Sequence, residues 1–253
     1  MISASIYLKM STKRQPVYLE IAGELEREIA SLTVNCTLPT EQQLAKKFSV
    51  SRVTIRRALE FIQRQGLITR QRGRGTIVSP PKITRNILPV STIEGDLQKQ
   101  GLKVETRLIE WRTGCKPPEF IQRRLQITPR VLCGLVRLTR LIDDRIICYD
   151  ERYIPSAWSR RLSPDLMANY PTPLLLEKLA RTPITLADWV TEITAAPLHV
   201  AAELKIVPRV LIVTNTFTHY FRNGRPAEAG VTSYRIDRVK FRFVASARFS
   251  RAS

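Results

Sequence analysis

The sequence contains little of what metal centres and disulfide-bonded folds require, with two histidines and four cysteines in 253 residues. No two cysteines form a Cys-x-x-Cys pair, and no histidine lies near a cysteine at a spacing suited to metal ligation. A chain of this length can also build hydrophobic cores without disulfides. The sequence therefore predicts no metal site, no disulfide framework and no cofactor.

Long apolar segments are also missing. A helix that crosses a bilayer needs about 20 consecutive apolar residues, and the sequence has no such run. The first fifteen residues carry a brief apolar stretch without the pattern of a signal peptide. These observations predict a cytoplasmic protein with no membrane partner.

Acidic residues are scarce beside basic ones. Asp and Glu number 22 against 41 Lys and Arg, which gives a formal net charge of +19. Such an excess favours a polyanionic partner, and nucleic acid is the polyanion that fits a chain without membrane signals. Charge alone leaves open whether binding would be sequence-specific or architectural.

A pair of short helices is predicted between residues 38 and 64. Pro39 and Thr40 form a helix start signal, and Ser51 is the next candidate N-cap. Apolar residues at helical spacing then predict one buried face on each helix. Those residues are Leu44, Ala45 and Phe48 in the first helix, and Ile55, Ala58, Leu59 and Ile62 in the second.

Positive charge is concentrated on the outer side of this segment. Between Lys46 and Arg74 nine basic side chains accompany a single acid, Glu60. Ser51, Arg52 and Thr54 fall in the exposed first turn of the second helix. In helix-turn-helix proteins, residues at that position contact base edges in the major groove. A solvated basic helix face remains the alternative from the helix alone.

A hairpin with a basic tip is predicted to follow. Strand-like residues 67–70 and 76–78 flank a tip in which Arg72 and Arg74 alternate with Gly73 and Gly75. Glycines allow a tight turn close to a groove, while arginines reach phosphates or the minor groove. A nucleotide-phosphate loop is disfavoured, because no helix follows to supply an anion-binding N-terminus.

Four motifs, in this order, resemble the winged helix-turn-helix of the GntR family of bacterial transcription regulators, over residues 15–79. They are Pro16–Tyr18, Leu38–Glu41, Ser51–Leu59 and Arg72–Val78. The chain departs from the family at Gln42, where Arg is common, and in residues 31–37, which lack the usual glycines. The resemblance and the charge pattern together predict DNA contacts at Thr40, Gln42, Ser51, Arg52, Val53, Thr54, Arg56, Arg57, Arg72, Gly73, Arg74 and Gly75.

The second half predicts a separate α+β domain. Ser79-Pro80-Pro81-Lys82 ends the first domain, and residues 80–90 are interpreted as a linker whose part 83–89 is a connector without pattern. Residues 91–247 alternate helices with antiparallel hairpins, one turning at Asp143-Asp144 and one at residues 222–225, and end in a strand at 241–247. No internal repeat is apparent.

This half resembles the UTRA effector-binding domain of the HutC branch of that family, whose α/β fold with an antiparallel sheet is similar to chorismate lyase. The residues that carry the resemblance lie at 137–145, 150–155, 173–177, 223–228 and 234–241. It implies a small-molecule site at Ser91, Arg137, Arg140, Glu151, Thr172, Glu228 and Tyr234.

The chemistry of this set suits a polar metabolite. Arg140 offers a guanidinium fork for an anion, and Glu228 accepts N–H or O–H groups. Leu138 replaces one arginine of a pair that the family often has, which favours an organic acid over a sugar phosphate as the effector. A simple cross-strand ion pair between Arg140 and Glu151 is the alternative.

The predicted function is therefore that of a homodimeric repressor, which binds an inverted-repeat operator in double-stranded DNA and responds to a metabolite. Two alternatives remain open from the sequence. One is a lyase-like enzyme on the chorismate-lyase-like fold, although no catalytic constellation is recognisable. The other is an architectural DNA-binding protein without sequence preference.

Overall fold

The computed structural model describes residues 16–71, 73–87 and 92–243, and the chain divides into two compact units between Pro81 and Lys82. Each unit is described by itself. Among the described residues, no helix combines the length and the apolar character needed to cross a bilayer.

The first unit is a three-helix bundle with a hairpin. Its helices are α1 (Val17–Ala30), α2 (Glu41–Phe48) and α3 (Arg52–Arg64), and its hairpin pairs β1 (Ile68–Gln71) with β2 (Gly75–Val78). The predicted inner face of α3 is buried, and it forms one core with α1 and α2. The members of that core include Ile21, Leu25, Leu44, Ile55, Leu59 and Ile62.

The loop between α1 and α2 joins the hairpin as a short third strand. Thr37 bridges to Ile77, and the Leu38 amide donates to the Thr76 carbonyl at 2.8 Å. Asn35 adopts a left-handed conformation with φ of 68°, which Asn tolerates better than most residues. Asn35 therefore supplies this turn without a glycine.

The second unit is built on one six-stranded antiparallel sheet. Its strands are β4 (Glu105–Cys115), β5 (Cys133–Ile142), β6 (Arg145–Pro155), β7 (Ile184–Ala195), β8 (Leu211–Phe221) and β9 (Pro226–Arg235), in the spatial order β4-β5-β6-β9-β8-β7. Its helices are α4 (Ile93–Gln98), α5 (Glu119–Leu125), α6 (Ser156–Ser159), α7 (Pro164–Asn169), α8 (Thr172–Ala180) and α9 (Leu198–Leu204).

The sheet has two differently covered faces. We call the first the helix-pair face; it carries Tyr149, Glu151 and Tyr153 and is covered by α5 and α9. We call the second the cavity face; it carries Arg140, Asp150, Arg152 and Glu228, while α4 and α6 to α8 pack around it. Because side chains alternate along a strand, the face of each residue is set by the strand register.

The second unit contains an internal repeat, contrary to the sequence-based expectation. The order strand-helix-strand-strand occurs as β4-α5-β5-β6 and again as β7-α9-β8-β9, with β6 and β9 paired at the centre. Both copies have Pro-Arg-Val-Leu before or at the start of the second strand, at residues 129–132 and 208–211. Few other identities persist, because an alternating pattern tolerates many substitutions.

The linker prediction is wrong in part. Residues 83–87 form a strand, β3 (Ile83–Ile87), which pairs in parallel with β10 (Val239–Phe243). Arg85 on β3 is buried against Asp96, and this buried charge concealed the strand pattern. The last strand, predicted over 241–247, begins at Val239; its predicted part after Phe243 lies outside the described residues.

Candidate DNA interface and effector cavity

The start of α3 is capped and exposed. The Thr54 amide donates to the Ser51 hydroxyl at 3.2 Å, which satisfies one of the free amides of the first turn. Arg52 and Arg57 are exposed, and Val53 is 60% exposed although its side chain is apolar. Three residues separate α2 from α3, with Ser49 in a left-handed conformation. The geometry is that of a helix-turn-helix.

Glu41 organises two of the basic side chains in this unit. Its carboxylate binds the guanidinium of Arg56 on α3 and that of Arg70 on β1, each at 3.1 Å. Arg52 and Arg57, by contrast, have no carboxylate within ion-pair distance in the described part of the chain. Of the predicted DNA-contacting arginines on α3, Arg56 is thus held in place, and the other two project freely.

The remaining predicted DNA contacts lie at the start of α2 and at the tip of the hairpin between β1 and β2. Thr40 and Gln43 form a capping box at the start of α2, which leaves the side chain of Gln42 exposed. At the hairpin tip Gly73 and Gly75 have φ values of 81° and 84°. The Arg74 side chain donates to Gln71 at 3.2 Å. Arg72 lies outside the described residues.

A network of buried charges occupies the cavity face of the second unit. Asp150 is fully buried and accepts hydrogen bonds from Arg140 at 2.6 Å, from Arg152 at 2.6 Å and from the Thr232 hydroxyl at 2.6 Å. Arg140 also donates to Glu94 at 2.5 Å. These are short, charge-assisted bonds that hold three strands and α4 in one arrangement.

The ionisation of this network follows from its pairing. Burial alone would raise the pKa of Asp150, but the Arg152 and Arg140 guanidiniums outweigh it and lower the pKa to about 2. Burial similarly disfavours the charged form of Glu94, yet Arg140 lowers the pKa of that carboxyl below its ordinary value. Both carboxyl groups are therefore ionised near neutral pH.

The network extends across β8 and β9. The second arm of Arg152 donates to Glu228 at 3.0 Å, and its guanidinium lies 4.9 Å from the centre of the Phe217 ring. The Nδ1 atom of His219 lies 2.8 Å from the same Glu228 oxygen. Sequence reasoning did not assign His219 to the site, although it contacts this buried carboxylate.

Two connected spaces border these charges. The first, which we call the inner cavity, has a volume of about 40 Å³, and Arg152, Asn215 and Trp189 are among the residues that line it. The second, which we call the outer groove, has a volume of about 510 Å³ and includes Thr172 and Leu138 in its wall. Both spaces share Thr92, Glu94 and Arg140. Trp189, which the sequence analysis did not select, also lines the inner cavity.

Four of the predicted effector-binding residues lie at these spaces and two do not. Arg140 and Tyr234 line the inner cavity, Thr172 lines the outer groove, and Glu228 lies behind Arg152. Arg137 and Glu151 lie on the helix-pair face instead, 3.4 Å apart as an ion pair. Their assignment to the same pocket is wrong. Ser91 lies outside the described residues.

A bulge in the first hairpin, between β5 and β6, explains why Glu151 lies on the helix-pair face. The turn pairs Ile142 with Arg145 and Leu141 with Ile146, but Arg140 then pairs with Cys148, so Ile147 is an extra residue. One inserted residue exchanges the faces of the strand beyond it. Asp150 therefore meets Arg140, and Glu151 faces away.

Sequence reasoning also missed several residues of the site. They are Glu94, Asp150, Arg152, Asn215 and His219, all of which line the inner cavity or bind a residue that does. The run of three charged residues at 150–152, within a segment predicted to be a strand, was a visible signal. It required the bulged register before it could be assigned to a face.

Comparison with known families matches both units. The profile of the family described as "Bacterial regulatory proteins, gntR family" matches residues 17–78, and that of the UTRA domain matches residues 99–240.

Characterised relatives extend over nearly the whole chain. The HTH-type transcriptional repressor NagR of Bacillus subtilis is 26% identical over 241 residues, covering 89% of this chain and 93% of NagR. The mannosyl-D-glycerate transport/metabolism system repressor MngR of Escherichia coli is 24% identical, covering 94% and 99%. The crystal structure of PhnF from Mycobacterium smegmatis has the same fold, with a TM-score of 0.61 at 21% identity, covering 90% of this chain and all of PhnF.

Proposed function

The chain belongs to the GntR family of bacterial regulatory proteins, in the HutC-type branch with a UTRA domain, and we propose that it is a dimeric repressor that reads an inverted-repeat operator. It is a transcription regulator and not an enzyme, since its relatives regulate transcription. DNA binding by the first unit is controlled by a small molecule in the second. The contacts, the dimer and the site of the effector are the proposed parts.

The exposed first turn of α3 is the observation that supports the DNA contacts. Val53 is 60% exposed and flanked by the exposed Arg52, on a helix whose other face is buried. In our proposal Arg52 reads a base edge, while Arg57 and the tip residues Gly73 to Gly75 bind phosphates and the adjacent groove. Arg56 contributes through the geometry that Glu41 imposes.

Substitution of Arg52 tests this assignment. Arg52→Ala should weaken binding to an operator selected from random duplexes by about 1–3 kcal/mol, because a base contact is lost. Arg64→Ala removes an equal charge from the last turn of α3 and should change affinity much less. Fluorescence anisotropy titrations measure both; equal losses for the two variants would contradict a base-reading role for Arg52.

The edge strand β7 supports the proposed dimer. Its twelve residues include Leu186, Val190 and Ile193, which are 57%, 44% and 65% exposed. The opposite edge, β4, carries the charged side chains Glu105, Arg107, Glu110 and Arg112. Charged edges resist strand pairing, and β7 has two charged residues, Asp188 and Glu192, against four on β4. We assign the two-fold contact to antiparallel pairing of β7 with β7 of a second copy.

A matched pair of lysine substitutions tests the dimer. Ile193→Lys places a charge on the proposed contact and should shift the protein towards the monomer, measured by light scattering after size exclusion. Ile109→Lys places the same charge on the β4 edge and should leave the dimer intact. If Ile109→Lys were monomeric and Ile193→Lys remained dimeric, the dimer contact would lie on β4 instead.

Control by the effector requires different affinities for two arrangements of the dimer. A ligand that binds the DNA-incompetent arrangement more tightly releases the operator, by linkage. We place this ligand on the cavity face, at the inner cavity and the outer groove. The Glu228→Gln variant should keep operator binding but respond less to any metabolite that releases the wild-type complex, as titrated by anisotropy.

A further inference from the structure

The charges around the inner cavity do not balance. Three arginines reach it, and four buried or half-buried carboxylates pair with them. The arginines are Arg85, Arg140 and Arg152, and the carboxylates are Asp96, Glu94, Asp150 and Glu228. Among these seven side chains the carboxylates outnumber the guanidiniums by one, and the fourth carboxylate, Glu228, shares Arg152 and also lies 2.8 Å from Nδ1 of His219. Buried charges need partners, so this excess favours a cation.

Most of the buried polar atoms without a hydrogen-bond partner at this site are acceptors. Within the described residues, Glu94 Oε2 and Asn215 Oδ1 in the cavity wall have no hydrogen-bond partner, and neither has Glu228 Oε2 behind it. Asn215 is 5% exposed and Glu228 is fully buried. Arg85 Nε is the unmatched donor of the cavity wall. A buried acceptor without a donor costs about 1–3 kcal/mol, so these atoms suit a donating ligand.

The arginines, by contrast, are already occupied. Arg140 donates to Glu94 and Asp150, and Arg152 donates to Asp150 and Glu228. An incoming carboxylate or phosphate would have to displace these carboxylates and would add negative charge where it is already in excess. The sequence-based expectation of an organic acid or a sugar phosphate does not fit this pairing.

We propose that the effector presents a compact ammonium group to the inner cavity and extends the rest of the molecule into the outer groove. The inference rests on the proposed function, because it names the ligand class for the same effector site. A volume of about 40 Å³ admits a compact head group. The groove wall offers that part both apolar side chains, such as Leu138 and Met167, and polar ones, such as Thr172.

Small probes that share one alkyl chain test the head group. Butylammonium, 1-butanol and pentanoate carry an ammonium, a hydroxyl and a carboxylate on the same chain, and inorganic phosphate serves as a free anion. Each is added to the full chain at equal ionic strength. Melting is followed by tryptophan fluorescence, which reports the second unit because Trp111, Trp158 and Trp189 all lie there.

Butylammonium should raise the Tm by about 2–4 °C at several times its Kd, while the anions should not raise it. Glu94→Gln keeps the size of the side chain but removes the charge, and it should abolish the shift. Glu119→Gln, on the exposed side of α5, should retain it. Equal stabilisation by pentanoate or phosphate, an unchanged shift in Glu94→Gln, or no shift with any probe would overturn the inference.

These experiments distinguish a failure of the ligand class from a failure of the proposed regulatory function. If butylammonium fails while Glu228→Gln still blunts release of the operator by some metabolite, the ligand class is wrong and the effector site stands. If a ligand binds the second unit but no operator can be selected, the regulatory proposal fails instead.

Discussion

The two units of this protein use charge in opposite ways. On α3 of the DNA-binding unit, Arg52 and Arg57 are exposed without a carboxylate partner in the described residues. In the effector unit, Arg140 and Arg152 are buried, and each binds two carboxylates. Water solvates an exposed cation until a phosphate replaces it, whereas a buried cation needs its partner within the fold.

This difference predicts where substitutions cause loss of stability and where they cause loss of function. Charge changes on α3 should alter DNA binding and leave folding nearly intact. Charge changes around Asp150 should alter folding first. Three substitutions, in order of expected effect, test the contrast.

The largest effect is expected from Asp150→Asn. This change leaves two buried guanidiniums without their shared carboxylate, which should cost about 3–5 kcal/mol in the free energy of unfolding of the second unit. Urea unfolding followed by tryptophan fluorescence measures it. Asp144→Asn, at an exposed ion pair with Arg107, is the matched control and should cost less than about 1 kcal/mol.

The same carboxylate predicts a pH dependence. Its folded-state pKa of about 2 lies below the unfolded value of about 3.9. Its contribution is therefore fully present above about pH 4 and is lost as the pH falls through the folded pKa. In Asp150→Asn this part of the acid-induced loss of stability should disappear. Identical acid profiles for the wild type and this variant would contradict the assignment.

A smaller effect is expected from Gly230→Ala. A Cβ atom at this position would collide with the backbone carbonyl oxygen of Glu151 and would lie 2.9 Å from the Phe217 ring. Overpacking of this kind costs about 1–3 kcal/mol. Gly23→Ala in α1, where no atom lies within 4 Å, should instead stabilise the first unit by about 0.5–1 kcal/mol. Thermal melts followed by fluorescence and by circular dichroism separate the two units.

The smallest effect on stability is expected at the cap of α3. Ser51→Ala removes the acceptor of the Thr54 amide and should cost about 1 kcal/mol in the first unit. Ser51→Asp preserves the cap but places a negative charge at the proposed DNA surface. It should therefore keep the melting temperature and lose operator affinity. Retained affinity in Ser51→Asp would remove this turn from the interface.

Most of the first unit could be predicted from the sequence because its signals are local. The Thr40 and Ser51 caps and the apolar spacing of α3 each depend on residues within one or two turns, and the structure confirms them. The pairing of Glu41 with Arg56 and Arg70 was not predictable in the same way. It joins residues 15 and 29 positions apart, which only the packed helices and hairpin bring together.

In the second unit the sequence determined the strands of the central sheet and the helices α5 and α9 between them, and it proposed Arg140 for the effector site. Only the tertiary structure decided which side chains meet it. The bulge at Arg140 recurs at His219 in the second repeat, and each exchanges the faces of the chain beyond it. Whether an extra residue is accommodated depends on packing across the whole sheet, so the cavity that Asp150 and Glu228 complete is a property of the assembled fold.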